Sequence, residues 1–221
     1  MINSTPLNEQ IATELKKEIT LGKFKPGQRI DIEQLANRWN VSTTPIRDAL
    51  KSLEKAGFVV FEPRKSVMVA SFDLKTFTDQ FELRRAYECL AVELSIYRIP
   101  EKEIADTSIK IKSALAEFKE TQENEVLDKV DNLVHKMVLD YCDNELLVEK
   151  MKDLTSLISW ARRVVIQKPK NYEEAAIEHI QIIEQLKERN MEGAVSAMRQ
   201  HLINSYERSR ACWVEEDPEQ D

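Results

Sequence analysis

The 221 residues carry 42% hydrophobic side chains and a net charge of −7, which allows one or two domains with a real core. No apolar run is long enough to span a bilayer and the N-terminus has no signal-peptide pattern, so the expectation is a cytoplasmic protein with no membrane partner. Cys89, Cys142 and Cys212 are odd in number and widely spaced, which fits reduced thiols better than a disulfide framework.

The first structural signal in chain order is a pair of short helices. Ile32, Leu35, Ala36 and Trp39 share one face; after a tight polar turn, Ile46, Ala49, Leu50 and Leu53 do the same. Ser42 is suited to cap the second helix, Pro45 falls in its first turn, and Gly57 is placed to end it. This is a helix-turn-helix pattern whose second helix presents Thr43, Thr44 and Arg47 near the end that enters a DNA major groove. Phe58–Glu62 and Ser66–Ala70 are β-prone runs joined by Pro63, Arg64 and Lys65, the makings of a two-stranded wing with two basic residues at its tip. The DNA-facing set is therefore Arg38, Ser42, Thr43, Thr44, Arg47, Arg64 and Lys65. Each residue alone also suits a surface helix or an ordinary hairpin; the arrangement as a whole points to DNA.

Charge divides accordingly. Residues 1–70 carry 11 Lys+Arg against 8 Asp+Glu (+3), and residues 71–221 carry 21 against 31 (−10). The basic excess lies where phosphate contact is expected, and the acidic remainder argues against nucleic acid contact there.

That remainder, with Gly193 as its single glycine, reads as helices near 74–98, 101–120, 123–142, 144–167, 172–189 and 191–211, broken at Pro100, Asp143 and around Pro169. Residues 214–221 form an acidic tail whose composition predicts disorder. The expected fold is mainly α: a winged helix-turn-helix over 1–72, then an antiparallel six- or seven-helix bundle over 73–212, with a tail from 213 to 221.

All three histidines fall in the bundle. Asp131 and His135, four apart, share a face of the third helix with Leu127, Val134 and Val138. His179 lies among Tyr172, Ala175, Ala176, Ile183 and Leu186, and His201 among Ala194, Met198 and Ser205. Three imidazoles and a carboxylate converging from three helices make a metal site. Spacing alone favours the other reading, three separate core histidines each satisfied by a hydrogen bond. Arg84 shares a stripe with Phe77, Phe81, Glu88 and Ala91. It reads either as half of an i,i+4 pair with Glu88 or as a fork for a ligand's carboxylate, with Arg162 a further candidate for that pocket.

Ile11, Leu15, Ile19, Gly22, Pro26-Gly27, Leu35-Ala36, Val41-Ser42, Pro45-Ile46-Arg47, Ala49-Leu50, Leu53 and Gly57 resemble, in order, the DNA-binding domain of the GntR family of bacterial transcription regulators over residues 7–70. Two positions depart from it: Thr43 stands where members often carry arginine, and Ser66 where they often carry glycine at the wing tip. Asp131-x-x-x-His135 with Asn144, Glu178-His179-x-x-Ile182 and His201-Leu202 resemble the FCD ligand-binding domain of the FadR subfamily over about residues 74–210, and six helices look closer to its VanR branch.

The resemblance implies a homodimeric regulator that reads an inverted-repeat operator. It implies a divalent transition metal held by Asp131, His135, His179 and His201, with zinc first and nickel, manganese or iron as alternatives. It also implies a small carboxylate metabolite bound near Arg84, Glu88 and Arg162. Two other classes stay open. One is a metal-dependent hydrolase or isomerase fused to a DNA-binding head, against which no Ser/His/Asp, HExxH or phosphate-cradling glycine motif appears. The other is a metal-free acyl-CoA-type sensor, against which the three histidines argue.

Overall fold

The computed structural model describes residues 5–62, 66–165 and 172–213. Packing divides the chain into two units: Met1–Asp73 with Ser156–Val164, and Leu74–Thr155 with Val165–Asp221. The sequence reading gave contiguous ranges; the packing units are not contiguous, because Leu157 and Trp160 belong to the core of the first unit.

In the first unit α1 (Leu7–Thr20), α2 (Ile32–Trp39) and α3 (Thr43–Lys55) direct Ile11, Leu15 and Ile19, Leu35 and Ala36, and Ile46, Ala49, Leu50 and Leu53 into that core. Helix α2 begins at Asp31, whose carboxylate accepts the backbone N–H groups of Glu33 and Gln34. It ends at Asn40, left-handed at φ 52°, a conformation asparagine tolerates; this makes the tight turn of the motif. Ser42 does sit at the N-cap of α3, but its side chain makes no capping hydrogen bond, a correction to the capping role expected of it. At the other end Gly57 takes φ 81°; its N–H reaches the Glu54 carbonyl and that of Phe58 reaches Leu53, the paired bonds of a glycine-terminated helix.

The wing is a three-stranded antiparallel sheet in the order β1-β3-β2, formed by β1 (Arg29–Ile30), β2 (Val59–Phe61) and β3 (Val67–Val69). Strand β1 was not expected, since two residues carry no periodicity to read. Arg64 and Lys65, assigned to the wing tip, lie outside the described residues. The Phe58 ring stacks on Trp160 at 5.6 Å between centroids, and Phe72 meets Trp160 edge-on at 4.4 Å.

The second unit is helical: α4 (Leu74–Ser95), α5 (Glu101–Thr121), α6 (Asn124–Asp128), α7 (Leu133–Asp140), the first part of α8 (Glu145–Val165), α9 (Tyr172–Lys187) and α10 (Met191–Arg210). Among the described residues these are seven helices rather than six, because the expected helix 123–142 is two. Lys129–Asn132 forms a turn between α6 and α7, where adjacent Asp131 and Asn132 favour turns over helix interior. The break near Pro169 and the tail 214–221 fall outside the described residues. Where glycine is missing, Gln122, Asp143 and Arg189 take positive φ near helix ends. The Arg189 guanidinium donates to the carbonyls of Ile96 and Ile99, tying the α9–α10 corner to the chain beyond α4. Among the described residues no helix is long and apolar enough to cross a membrane. Helix α10 packs on α4 and α9, while α7 packs on α4 and α9, so four helices surround one region of the interior.

Candidate functional site

That region holds all three histidines. His135 comes from α7, His179 from α9 and His201 from α10; they are 7%, 1% and 3% exposed. Their Nε2 atoms form a triangle with each edge 3.2 Å. Two nitrogens bound to one zinc ion at about 2.0–2.1 Å lie roughly 2.9 Å apart at a right angle and roughly 3.4 Å apart at the tetrahedral angle. The triangle falls between these limits, and three imidazoles without thiolate suit a divalent transition metal. The residues therefore fit such an ion.

The backs of two rings are held by carboxylates. His135 Nδ1 bonds Glu88 Oε2, and Glu88 Oε1 accepts from Arg84 Nε at 2.5 Å; Glu88 and Arg84 are both buried in α4. Burial pushes the Glu88 carboxyl up, but the Arg84 guanidinium and the His135 ring outweigh it and hold the group well below the ordinary carboxylate range. His201 Nδ1 meets Glu178 Oε2 at 2.7 Å. Burial raises Glu178 too, yet its bonds to Arg208, His201 and Asn204 hold it at about 2.

His179 and His201 are harder to protonate than an ordinary histidine. Burial, then the neighbouring His201 and His135, lowers His179 well below 6.5. Burial lowers His201 to about 4 despite its bond to Glu178. Bases with depressed native pKa values stabilise the fold only while they are neutral. The unfolded chain binds protons near 6.5 that native His201 refuses until about 4 and native His179 refuses until well below 6.5, so stability is full above 6.5 and falls as pH drops below it. The urea midpoint of metal-stripped protein is therefore expected to fall between pH 7.5 and pH 5, a range above the ordinary carboxylate values of Glu88 and Glu178. An unchanged or higher midpoint at pH 5 would contradict the burial of neutral rings.

The other expected site residues fall as follows. Asp131 lies in the turn before α7, not on the helix of His135; it exerts a charge effect on His179 but does not join the tight cluster of ring nitrogens. Arg84 exerts one on His201. Arg162 belongs to Ser156–Val164 of the first unit, whereas the histidines belong to the second. Cys142 is buried, its thiol donates to the Asn144 carbonyl at 3.9 Å, and it plays no part in the cluster. Glu178, Arg208 and Asn204 were missed as a group. Their signal was present, since Asn204 and Arg208 stand three and seven residues after His201 and so share its face of α10.

In the first unit Ser42, Thr43, Thr44 and Arg47 are all exposed at the N-terminal end of α3, where backbone N–H groups and the helix dipole favour phosphate. Arg38, by contrast, grips Glu18 of α1 through both terminal nitrogens, at 2.9 and 2.5 Å. Glu18 is buried, and this pair fastens α2 to α1.

A cleft of about 460 Å³ is lined by Glu174, Ile177, Glu178, Asn204, Glu207 and Arg208 of α9 and α10.

Comparison with known proteins places this architecture. Residues 7–69 match the model for bacterial regulatory proteins of the gntR family, and residues 79–204 match the FCD domain. The chain is 30% identical over 199 residues to the HTH-type transcriptional regulator YdhC of Bacillus subtilis (strain 168), covering 90% of this chain and 87% of that protein. It is 28% identical over 187 residues to the Nta operon transcriptional regulator of Aminobacter aminovorans, covering 83% and 85%. Among solved structures, E. coli McbR/YncC shares the fold with a TM-score of 0.72 at 19% identity, over 94% of this chain and 99% of that one. With a gntR head and an FCD domain on one chain, this protein belongs to the GntR family and is a DNA-binding transcription regulator.

Proposed function

We propose that the regulator senses a small carboxylate metabolite at a metal centre held by the Nε2 atoms of His135, His179 and His201, with Asp131 as a further candidate ligand. One observation carries this reading. The Nδ1 atoms of His135 and His201 face carboxylates, which only accept, so the proton of each neutral ring sits on Nδ1 and each Nε2 presents a lone pair. Two lone pairs facing each other at 3.2 Å repel unless a cation lies between them. Zinc is the first candidate, with nickel, manganese or iron as alternatives. When bound, the ion supplies open positions for a metabolite's carboxylate. Arg84, oriented by Glu88 and within electrostatic reach of His201, is the candidate cation for that carboxylate. In the head, Thr43, Thr44 and Arg47 are the base- and phosphate-facing residues of α3, and two heads of a homodimer read an inverted repeat.

A metabolite alters operator binding only if it prefers one arrangement of the dimer. The test is fluorescence anisotropy on an operator selected from random-sequence DNA by the wild-type protein. Zinc-loaded protein is titrated with and without each member of a panel of mono- and dicarboxylates, beside metal-stripped protein. At least one carboxylate is expected to shift operator affinity by roughly 5- to 150-fold, only when zinc is present. Identical isotherms for stripped, loaded and carboxylate-treated protein would remove the sensing role.

A further inference from the structure

We propose that Glu178 is a positioning residue for this metal centre, locked from outside by Arg208 and Asn204, and that this clamp sets the metal affinity. The proposal rests on the reading that the three histidines hold the ion. Glu178 precedes His179 on α9 but points elsewhere: His179 enters the cluster, while Glu178 meets the face of α10 that carries His201, Asn204 and Arg208.

Its carboxylate is fully engaged. Oε1 accepts from Asn204 Nδ2 at 2.8 Å and from Arg208 Nη1 at 2.7 Å. Oε2 accepts from Arg208 Nη2 at 2.8 Å and faces His201 Nδ1 at 2.7 Å. An ionised carboxylate offers about four lone-pair sites, so all are used. The two-pronged Arg208 contact fixes the plane of the group as well as its charge.

The consequence falls on His201. An imidazole with no partner at Nδ1 can turn over about its ring axis or carry its proton on Nε2, and either change removes the lone pair a metal needs. A fixed anion at Nδ1 excludes both and makes Nε2 a stronger donor. Glu88 does the same for His135, but it is shared with buried Arg84 inside the bundle. The Glu178 arm instead opens on the cleft between α9 and α10, where Arg208 keeps 24% of its side-chain surface exposed. Its partners can therefore be altered without leaving a charge buried in the core.

The experiment uses full-length protein, stripped of metal, with zinc affinity measured by competition against a chromophoric chelator and the visible absorption of the cobalt(II) form recorded alongside. Glu178→Gln keeps the shape but removes the charge and turns one acceptor into a donor, so Arg208 loses one bond in either orientation of the amide and His201 or Asn204 loses its own. It is expected to weaken zinc binding roughly 10- to 100-fold, the usual effect of losing an outer partner. It should leave one ion per chain at saturation and change the cobalt spectrum. Arg208→Met leaves the anion but frees its plane, and is expected to weaken binding less, in the same direction. Melting of the stripped variants checks the fold, and if Glu178→Gln fails to fold, Arg208→Met decides. Variants that bind zinc within about twofold of wild type, with an unchanged cobalt spectrum, would overturn the proposal. If the wild type takes up no ion, the underlying metal reading fails and this one with it, an outcome visible without any variant.

Discussion

Replacing His179 with alanine is expected to reduce metal content from one ion per chain to background, while the variant still binds operator DNA. His179 is the most buried of the three rings, and its Nε2 is 3.2 Å from both of the others. Its loss leaves two ligands of the triangle. The cost exceeds the roughly 10- to 100-fold that losing an outer partner brings, because a donor atom itself is gone. The head has its own core, assembled from α1–α3, the wing and residues Leu157 and Trp160, so DNA binding survives. Elemental analysis of protein purified without chelator reads the first effect and anisotropy on the selected operator reads the second. Removing a fully buried ring also costs packing. His179→Gln, closer in volume, separates that cost from the loss of the donor. Full metal content in both variants would mean that the ion is held elsewhere.

Arg47→Ala is expected to weaken operator binding roughly 10- to 100-fold with little change in melting temperature. The guanidinium is exposed on the second turn of α3, and no hydrogen bond or ion pair holds it among the described residues. Removing it therefore costs the fold little, and the loss falls on the complex. The salt dependence identifies the contact. If Arg47 grips a phosphate, the variant loses about one unit of the slope of log affinity against log salt; if it reads a base edge, the slope is kept and sequence preference relaxes. Arg38→Ala is the informative contrast, since Arg38 is bound to buried Glu18 and its loss leaves that carboxylate with Lys23 alone. Unchanged affinity in Arg47→Ala would withdraw α3's leading basic residue from the interface.

Much of the fold was legible because helix ends carry chemical punctuation. The expected helix 101–120 is observed as Glu101–Thr121, starting after Pro100, and Gly57 ends α3 as its φ of 81° requires. Other features were not legible for physical reasons. The two residues of β1 carry no period, and the turn at Lys129–Asn132 interrupts a stretch whose apolar spacing continues through it. Amphipathic spacing shows that Leu157 and Trp160 are buried, but not which core receives them.

The site divides the same way. Each histidine could be placed on an inward stripe, whereas convergence of three rings depends on the phase and crossing of α7, α9 and α10, which spacing within one helix does not contain. The Arg84–Glu88 pair was visible as i,i+4 neighbours; that Glu88 also holds His135, 47 positions away, was not. Glu178 was legible in the sequence beside His179, but its partners on α10 were not.

The measurement that tests the central claim most directly is native mass spectrometry of untagged protein, stripped and then offered zinc, nickel or manganese in turn. The account predicts a dimer that gains one ion per chain. A mass that stays at the metal-free value with all three ions would contradict it and return His135, His179 and His201 to the hydrogen-bonded core.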